Sequence, residues 1–197
     1  MIGYTQIVTA ATTYPITVEE AKQHLRLVGN DDDTLLADYL ASVRDWLGRE
    51  VAGGITLLTT TYDWFLPRID SDRLRPPHTP LASVTTFSYR DSANATQTLT
   101  EGTTFAVHTP TNQPGWLSLI EGVSWPTTYI NRDDAVTIRY VAGYTAATIP
   151  PRAKHATRLA LGGFFEFREN MLAGTTITEI PDSVSRIMRS MDYGFYG

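Results

Sequence analysis

Asp31-Asp32-Asp33 is the only run of three carboxylates in this 197-residue chain, and a hard cation such as calcium is the chemistry it would invite. A calcium loop needs oxygen ligands at fixed offsets and a bidentate glutamate at its twelfth position. Counted from Asp31, that position is Ser42. The run is better used as a helix cap, with negative charge at the amino end of a helix, where the macrodipole favours each exposed carboxylate by roughly 0.3–1 kcal/mol. The four histidines, His24, His78, His108 and His155, fall in four separate segments without paired-ligand spacing. Cysteine is absent, so there is no thiolate nucleophile, disulfide or cysteine metal site. Neither a GxSxG elbow nor a glycine-rich phosphate loop with its lysine occurs. The residues assemble no acid, base and nucleophile, and the reading is of a chain that is not an enzyme and uses no cofactor or metal.

A different chemistry, recognition, is suggested near residue 152. Arg152, Lys154, His155 and Arg158 crowd the amino end of a predicted helix whose carboxyl end carries Glu166 and Glu169. This opposes the helix dipole. Either solvent screening makes the mismatch cheap, or the basic turn meets acids on the second helix, on a neighbouring copy or on a partner. Further along, Val184, Ile187, Met188 and Met191 are the apolar positions of a short last helix, followed by Tyr193, Phe195 and Tyr196. Aromatic and branched residues suit a solvated tail poorly, so both chain ends are read as segments that order on partner surfaces. Arg152, Lys154, Arg158, Ile187, Met188, Met191, Tyr193, Phe195 and Tyr196 are the candidate partner-binding residues.

The elements that would position them are legible from periodicity. Thr17 with Glu20 three residues on is a capping box that starts a helix near 17–27, with Val18, Ala21 and Leu25 on one face. Gly29-Asn30 offers the positive φ expected to end it. A second helix runs from 33 to about 50 on Leu36, Leu40, Val43 and Leu47, with Asp45 and Arg49 as an i,i+4 pair. Pro150-Pro151 opens a third, near 152–168, with an apolar seam of Ala153, Ala156, Ala160, Phe164 and Phe167. Gly162-Gly163 inside it marks either a kink or the close passage of another backbone. Between the second and third helices, 55–66 reads as one long strand and 68–80 as a proline-rich loop or a poorly paired edge. Short strands follow near 81–90, 97–100, 104–108, 115–120 and 135–141. The predicted class is α+β: a small bundle of three main helices plus a C-terminal helix, with an inserted antiparallel β lobe. The predicted organisation is an N-terminal arm at 1–14, a helical domain at 15–52 and 150–170, the lobe at 53–149, and a linker with a docking segment at 171–197.

Composition narrows the partners. Sixteen Lys and Arg against twenty-one Asp and Glu give a net charge of −5, unsuited to a protein whose main task is neutralising phosphate. No stretch of about 18 apolar residues suggests a membrane span, and the first fifteen residues lack the basic start and apolar core of a secretion signal. Trp64, Trp116, Trp125 and Tyr129 in the lobe fit core packing, or a carbohydrate or receptor-binding module of a tail structure.

The order of these segments resembles a known family. PITVEEAKQHLRL (15–27), an aspartate-rich turn and TLLADYLASVRDWLGRE (34–50) resemble the start of gp6-like phage head-tail connector proteins, including gene transfer agent adaptors. PLASV (80–84), VSWP (123–126), VTIRYVAGY (136–144) and the segment from IPP (149–151) to Glu169 continue the likeness more weakly. The resemblance implies a structural adaptor: a ring of copies, usually twelve, below the portal, extending the DNA channel and offering an attachment surface for a stopper or tail-completion protein. Its implied partners are therefore the portal, the stopper or tail and itself, with DNA only as non-specific cargo and no membrane. Its implied place is the neck of a virion or phage-like particle assembled in the bacterial cytoplasm, with the carboxyl end on the portal.

Overall fold

The computed structural model describes residues 3–48, 54–111, 113–166 and 182–191. The fold is α+β, in two compact units: residues 1–11 with 59–143, and residues 12–58 with 144–197.

The first unit is built on strands β1 (Tyr4–Thr9), β2 (Thr60–Leu66), β3 (Arg73–Leu74), β4 (Leu81–Arg90), β5 (Thr96–Leu99), β6 (Phe105–His108), β7 (Trp116–Leu119) and β8 (Val136–Ala142). A five-stranded sheet has the order β1-β2-β8-β4-β5, and a three-stranded sheet the order β3-β7-β6. Every pairing between these strands is antiparallel. The alternation read along β8 places Val136, Ile138, Tyr140 and Ala142 in the core, each 0% exposed. Register sets Ile138 between Trp64 and Phe87, and Tyr140 between Tyr62 and Val84. Leu74, Phe105 and Leu117 from the smaller sheet join the same core. On the opposite face Arg139 lies across from Asp63 and donates from Nε and one Nη, each at 2.8 Å. Backbones come close at Gly115, where an added Cβ would lie 2.5 Å from the Leu81 Cβ and 2.9 Å from the His108 carbonyl.

Two strand expectations are corrected. The long strand expected over 55–66 begins at Thr60, because the chain passes from one unit to the other between Leu58 and Thr59 and Leu58 instead bridges Tyr144. The amino-terminal segment, expected as an arm ordering on a partner, pairs as β1 along β2 of the same chain.

The second unit holds helices α1 (Val18–Leu25), α2 (Asp33–Trp46), α3 (Pro151–Glu166) and α4 (Asp182–Arg189). The Thr17 capping box forms: its Oγ accepts from the Glu20 amide at 3.1 Å, and Glu20 Oε2 accepts from the Thr17 amide at 2.9 Å. The helix ends earlier than Gly29 would end it. Arg26 takes the left-handed conformation at φ 57, and the amides of Arg26 and Leu27 bond back to Gln23 and Lys22, the two bonds of a Schellman motif. The aspartate run also works differently from a side-chain cap. Asp32 is the N-cap residue but makes no side-chain cap bond, and Asp33 lies 3.0 Å from Lys22 Nζ, which also donates to Asn30 Oδ1 at 2.7 Å. Lys22 thus clasps the turn between α1 and α2.

Leu36, Leu40, Val43 and Leu47 are each 0% exposed, as their spacing required. Arg49 lies outside the described residues; among those described, Asp45 pairs with the adjacent Arg44. On α3, Ala153, Ala156 and Ala160 are buried, while Phe164 and Phe165 make ring contacts with Trp46 and Tyr39 of α2. The seam residue Phe167 lies outside the described residues. No described backbone passes close to Gly162 or Gly163: an added Cβ would meet only His24 Nε2, at 3.8 Å, at the first and nothing within 4 Å at the second.

Candidate interaction site

The basic first turn of α3 is the feature the sequence singled out, and its surroundings begin with Pro150. That residue's carbonyl accepts from the Ala153 and Lys154 amides at 2.9 and 3.3 Å, and the fixed proline φ suits the turn. The helix then projects Lys154 and Arg158, one turn apart, toward α1. Glu20 Oε1 receives both, Arg158 Nη2 at 3.1 Å and Lys154 Nζ at 3.7 Å, with all three side chains about one-third exposed. The acid that answers the basic turn thus lies on the first helix. Glu20 caps α1 with one oxygen and ties α3 with the other. Its carboxyl is held below the usual value, chiefly by the Thr17 amide; burial opposes this, and the nearby Lys154 and Arg158 cations add to the lowering.

Arg152 points elsewhere. Its Nη1 donates to the Ser190 carbonyl at 3.0 Å, just past the end of α4, where a helix leaves carbonyls unanswered and the dipole favours a cation. Sequence reasoning saw the mismatch of Arg152 with its own helix but not this use, which requires α4 to fold back along α3. His155 is exposed.

On α4, Val184 and Met188 are 0% exposed, and Met191, two residues past its end, is 5% exposed, so these side chains are buried within the chain. Ile187 is half-buried. Tyr193, Phe195 and Tyr196 lie outside the described residues. The structure therefore uses Lys154 and Arg158 on one acid and Arg152 on the end of α4, and buries Met188 and Met191. Glu20 and Ser190, absent from the predicted set, are the counterparts of the basic residues. Only the acid could have been anticipated, because a capping glutamate with a spare oxygen beside a helix-rich neighbour is a ready acceptor.

Three of the four lobe aromatics, the tryptophans, make contacts within the lobe. Trp64 is core; Trp125 packs on Phe87 and donates from Nε1 to the Ser71 carbonyl at 3.1 Å. Trp116 stacks on His108 at 4.8 Å with the Arg73 guanidinium 4.9 Å from its ring. Among the described residues no group of three or more His, Asp or Glu side chains could hold a metal ion, and no helix is long and apolar enough to cross a membrane.

Residues 15–111 match the family model described as phage gp6-like head-tail connector protein. Over those 97 of its 197 residues the chain is similar to the gp6-like head-tail connector family. Its role is that of a structural connector. Solved structures share the connector's fold over nearly its whole length. A chain of the neck of an empty GTA particle, computed with C6 symmetry, is 20% identical, with 95% of this chain and 94% of that one covered at a TM-score of 0.73. A chain of the virion of the native gene transfer agent particle is 21% identical, with 95% and 94% covered at 0.70. A chain of the native GTA neck, computed with C12 symmetry, is 19% identical, with 94% of each covered at 0.67. A search of curated proteins returned no match.

Proposed function

We propose that this connector is the adaptor of a phage-like particle's neck: copies form a ring, twelve in the simplest case, below the portal, and the ring presents a surface to a stopper or tail-completion protein. The observation that carries the reading is the sharing of one α+β fold, over 95% of this chain, with a chain of a GTA particle neck. The protein performs no reaction in this role, and its assembly takes place in the bacterial cytoplasm. DNA passes through without being held. At −5 per copy, a dozen copies bring roughly 60 negative charges to the channel region before local placement is considered, which disfavours adhesion of phosphate.

The carboxyl-terminal segment is the proposed portal contact, with Ile187 the half-buried apolar residue of α4 available to it and Tyr193, Phe195 and Tyr196 beyond. Lys154 and Arg158, which serve Glu20, retain about a third of their side-chain surface for a partner. Because Val184, Met188 and Met191 are buried within the chain, a truncation that tests portal docking should begin after Met191. Purified connector imaged with and without portal should show rings on the portal with the full chain and none with the truncated one. Particles that lack the connector yet join heads to tails normally would overturn the functional reading.

A further inference from the structure

β1 is one edge of the five-stranded sheet and β5 is the other. Exposed edges invite pairing, and proteins usually blunt them with lysine, proline or inward-pointing charge. Neither edge here has such a guard: β1 is Tyr4-Thr5-Gln6-Ile7-Val8-Thr9 and β5 is Thr96-Gln97-Thr98-Leu99. On β1 the apolar side chains stay open to solvent, with Tyr4 at 52%, Ile7 at 49% and Val8 at 42%. The pairing with β2 divides them between the faces. Ile7 lies opposite Tyr62 on the core side, whereas Tyr4 lies opposite Phe65 on the other, the two rings stacked at 4.7 Å. A strand laid along β1 would cover apolar surface on both faces and pair the outward backbone groups of this edge, which no described strand takes up.

The topology and charge indicate what that strand is. Each of the five strands is antiparallel to its neighbours, so β1 and β5, four steps apart, run in the same direction. Copies related by rotation about an axis lying along the strands would bring β5 of one beside β1 of the next, in parallel. Two different surfaces meeting head to tail are what a closed ring of identical chains requires. Pairing of β1 with β1 would instead be an antiparallel two-fold contact that ends at a dimer. Each copy carries a net charge of −5, so copies repel, and β1 and β5 carry no charged residue of their own, the neighbouring Asp91 being held by Gln97 Nε2 at 2.8 Å.

We propose, on the ring reading above, that β1 is a strand-addition site filled by β5 of a second copy of this chain, so that neighbouring subunits share a continuous sheet. Four paired residues bury far less than the roughly 1,200 Å² of a stable independent interface. The seam therefore sets register between subunits that other contacts hold together.

The absence of native cysteine makes the test clean. Ile7→Cys is co-expressed with Gln97→Cys, and separately with Leu99→Cys, the two β5 positions on the same face of the sheet as Ile7, in the cell that builds the particle, and purified particles are oxidised. One of the mixed pairs should give a disulfide-linked heterodimer that is absent when each variant is used alone. An Ile7→Cys homodimer, or joined particles containing both variants but no cross-link, overturns the strand junction while leaving the connector reading intact. A second variant, Ile7→Lys with Val8→Lys, should retain the wild-type melting temperature yet lose ring formation on the portal. Rings formed at the wild-type level by that variant would also overturn the proposal.

Discussion

Glu20 offers the sharpest check on the helical unit, because one carboxylate performs two separable tasks. Glu20→Gln keeps a side-chain oxygen for the Thr17 amide but removes the charge that Arg158 and Lys154 approach at 3.1 and 3.7 Å. With both partners about one-third exposed, the pairing is of the partly screened kind, and its loss should destabilise by about 0.5–1 kcal/mol. Glu20→Ala removes the cap as well, adding about 0.5–1 kcal/mol. Urea unfolding of both variants at low salt would read the two steps. A double-mutant cycle with Arg158→Met should return a coupling of about 0.5 kcal/mol. The pH dependence gives an independent sign. The folded carboxyl lies below its ordinary value of 4.5, chiefly through the Thr17 amide, so its stabilisation is present above that value and is lost as pH falls through the folded value. The gap between wild type and Glu20→Gln should therefore close on acidification. A gap that stays constant with pH, or a Glu20→Gln variant as stable as wild type at pH 7, would refute the two-task account.

Three further outcomes follow from particular contacts. His78 stacks on Tyr62 at 3.8 Å and hydrogen-bonds the Tyr140 hydroxyl, and burial lowers its pKa to about 4; discounted for partial exposure, about 2 kcal/mol of stability should be lost between pH 6.5 and 4, and urea midpoints of His78→Phe against wild type should converge by that amount on acidification. Gly115→Ala forces the Leu81 Cβ and the His108 carbonyl apart, and should lower the chemical-denaturation stability by about 1–3 kcal/mol. Gly163→Ala, facing open space on α3, should raise the stability of the free chain by up to about 1 kcal/mol, measured by thermal melting; a loss there would show that the position is tightly packed.

Local signals were the legible ones. The Thr17 box, the four leucine and valine positions of α2 and the alternation of β8 each depend on residues within a few positions of one another, and each took its expected form. The end of α1 was misplaced because Gly29, the residue best suited to positive φ, competes with a Schellman bond set that closes three residues earlier on Arg26. The pairing of β1 was hidden for a different reason: its partner lies more than fifty residues away, and a short run of threonine and branched residues carries no mark of which edge it will join. The answer to the basic turn required Glu20 and Arg158 to meet across 138 positions, which only the folded bundle decides.

The central position of β8 has a consequence for how the connector is made. β2 and β4 flank it on either side, so although β1 and β5 are already made to pair with their outer edges, both β2 and β4 keep an inner edge open until residue 142 has left the ribosome. Until then the nascent polypeptide carries β-prone segments that could associate with those of a neighbouring polysome. A late centre strand thus makes the rate of translation through residues 60–142 a determinant of yield, and slowing the ribosome there should increase aggregation more than slowing it over α3.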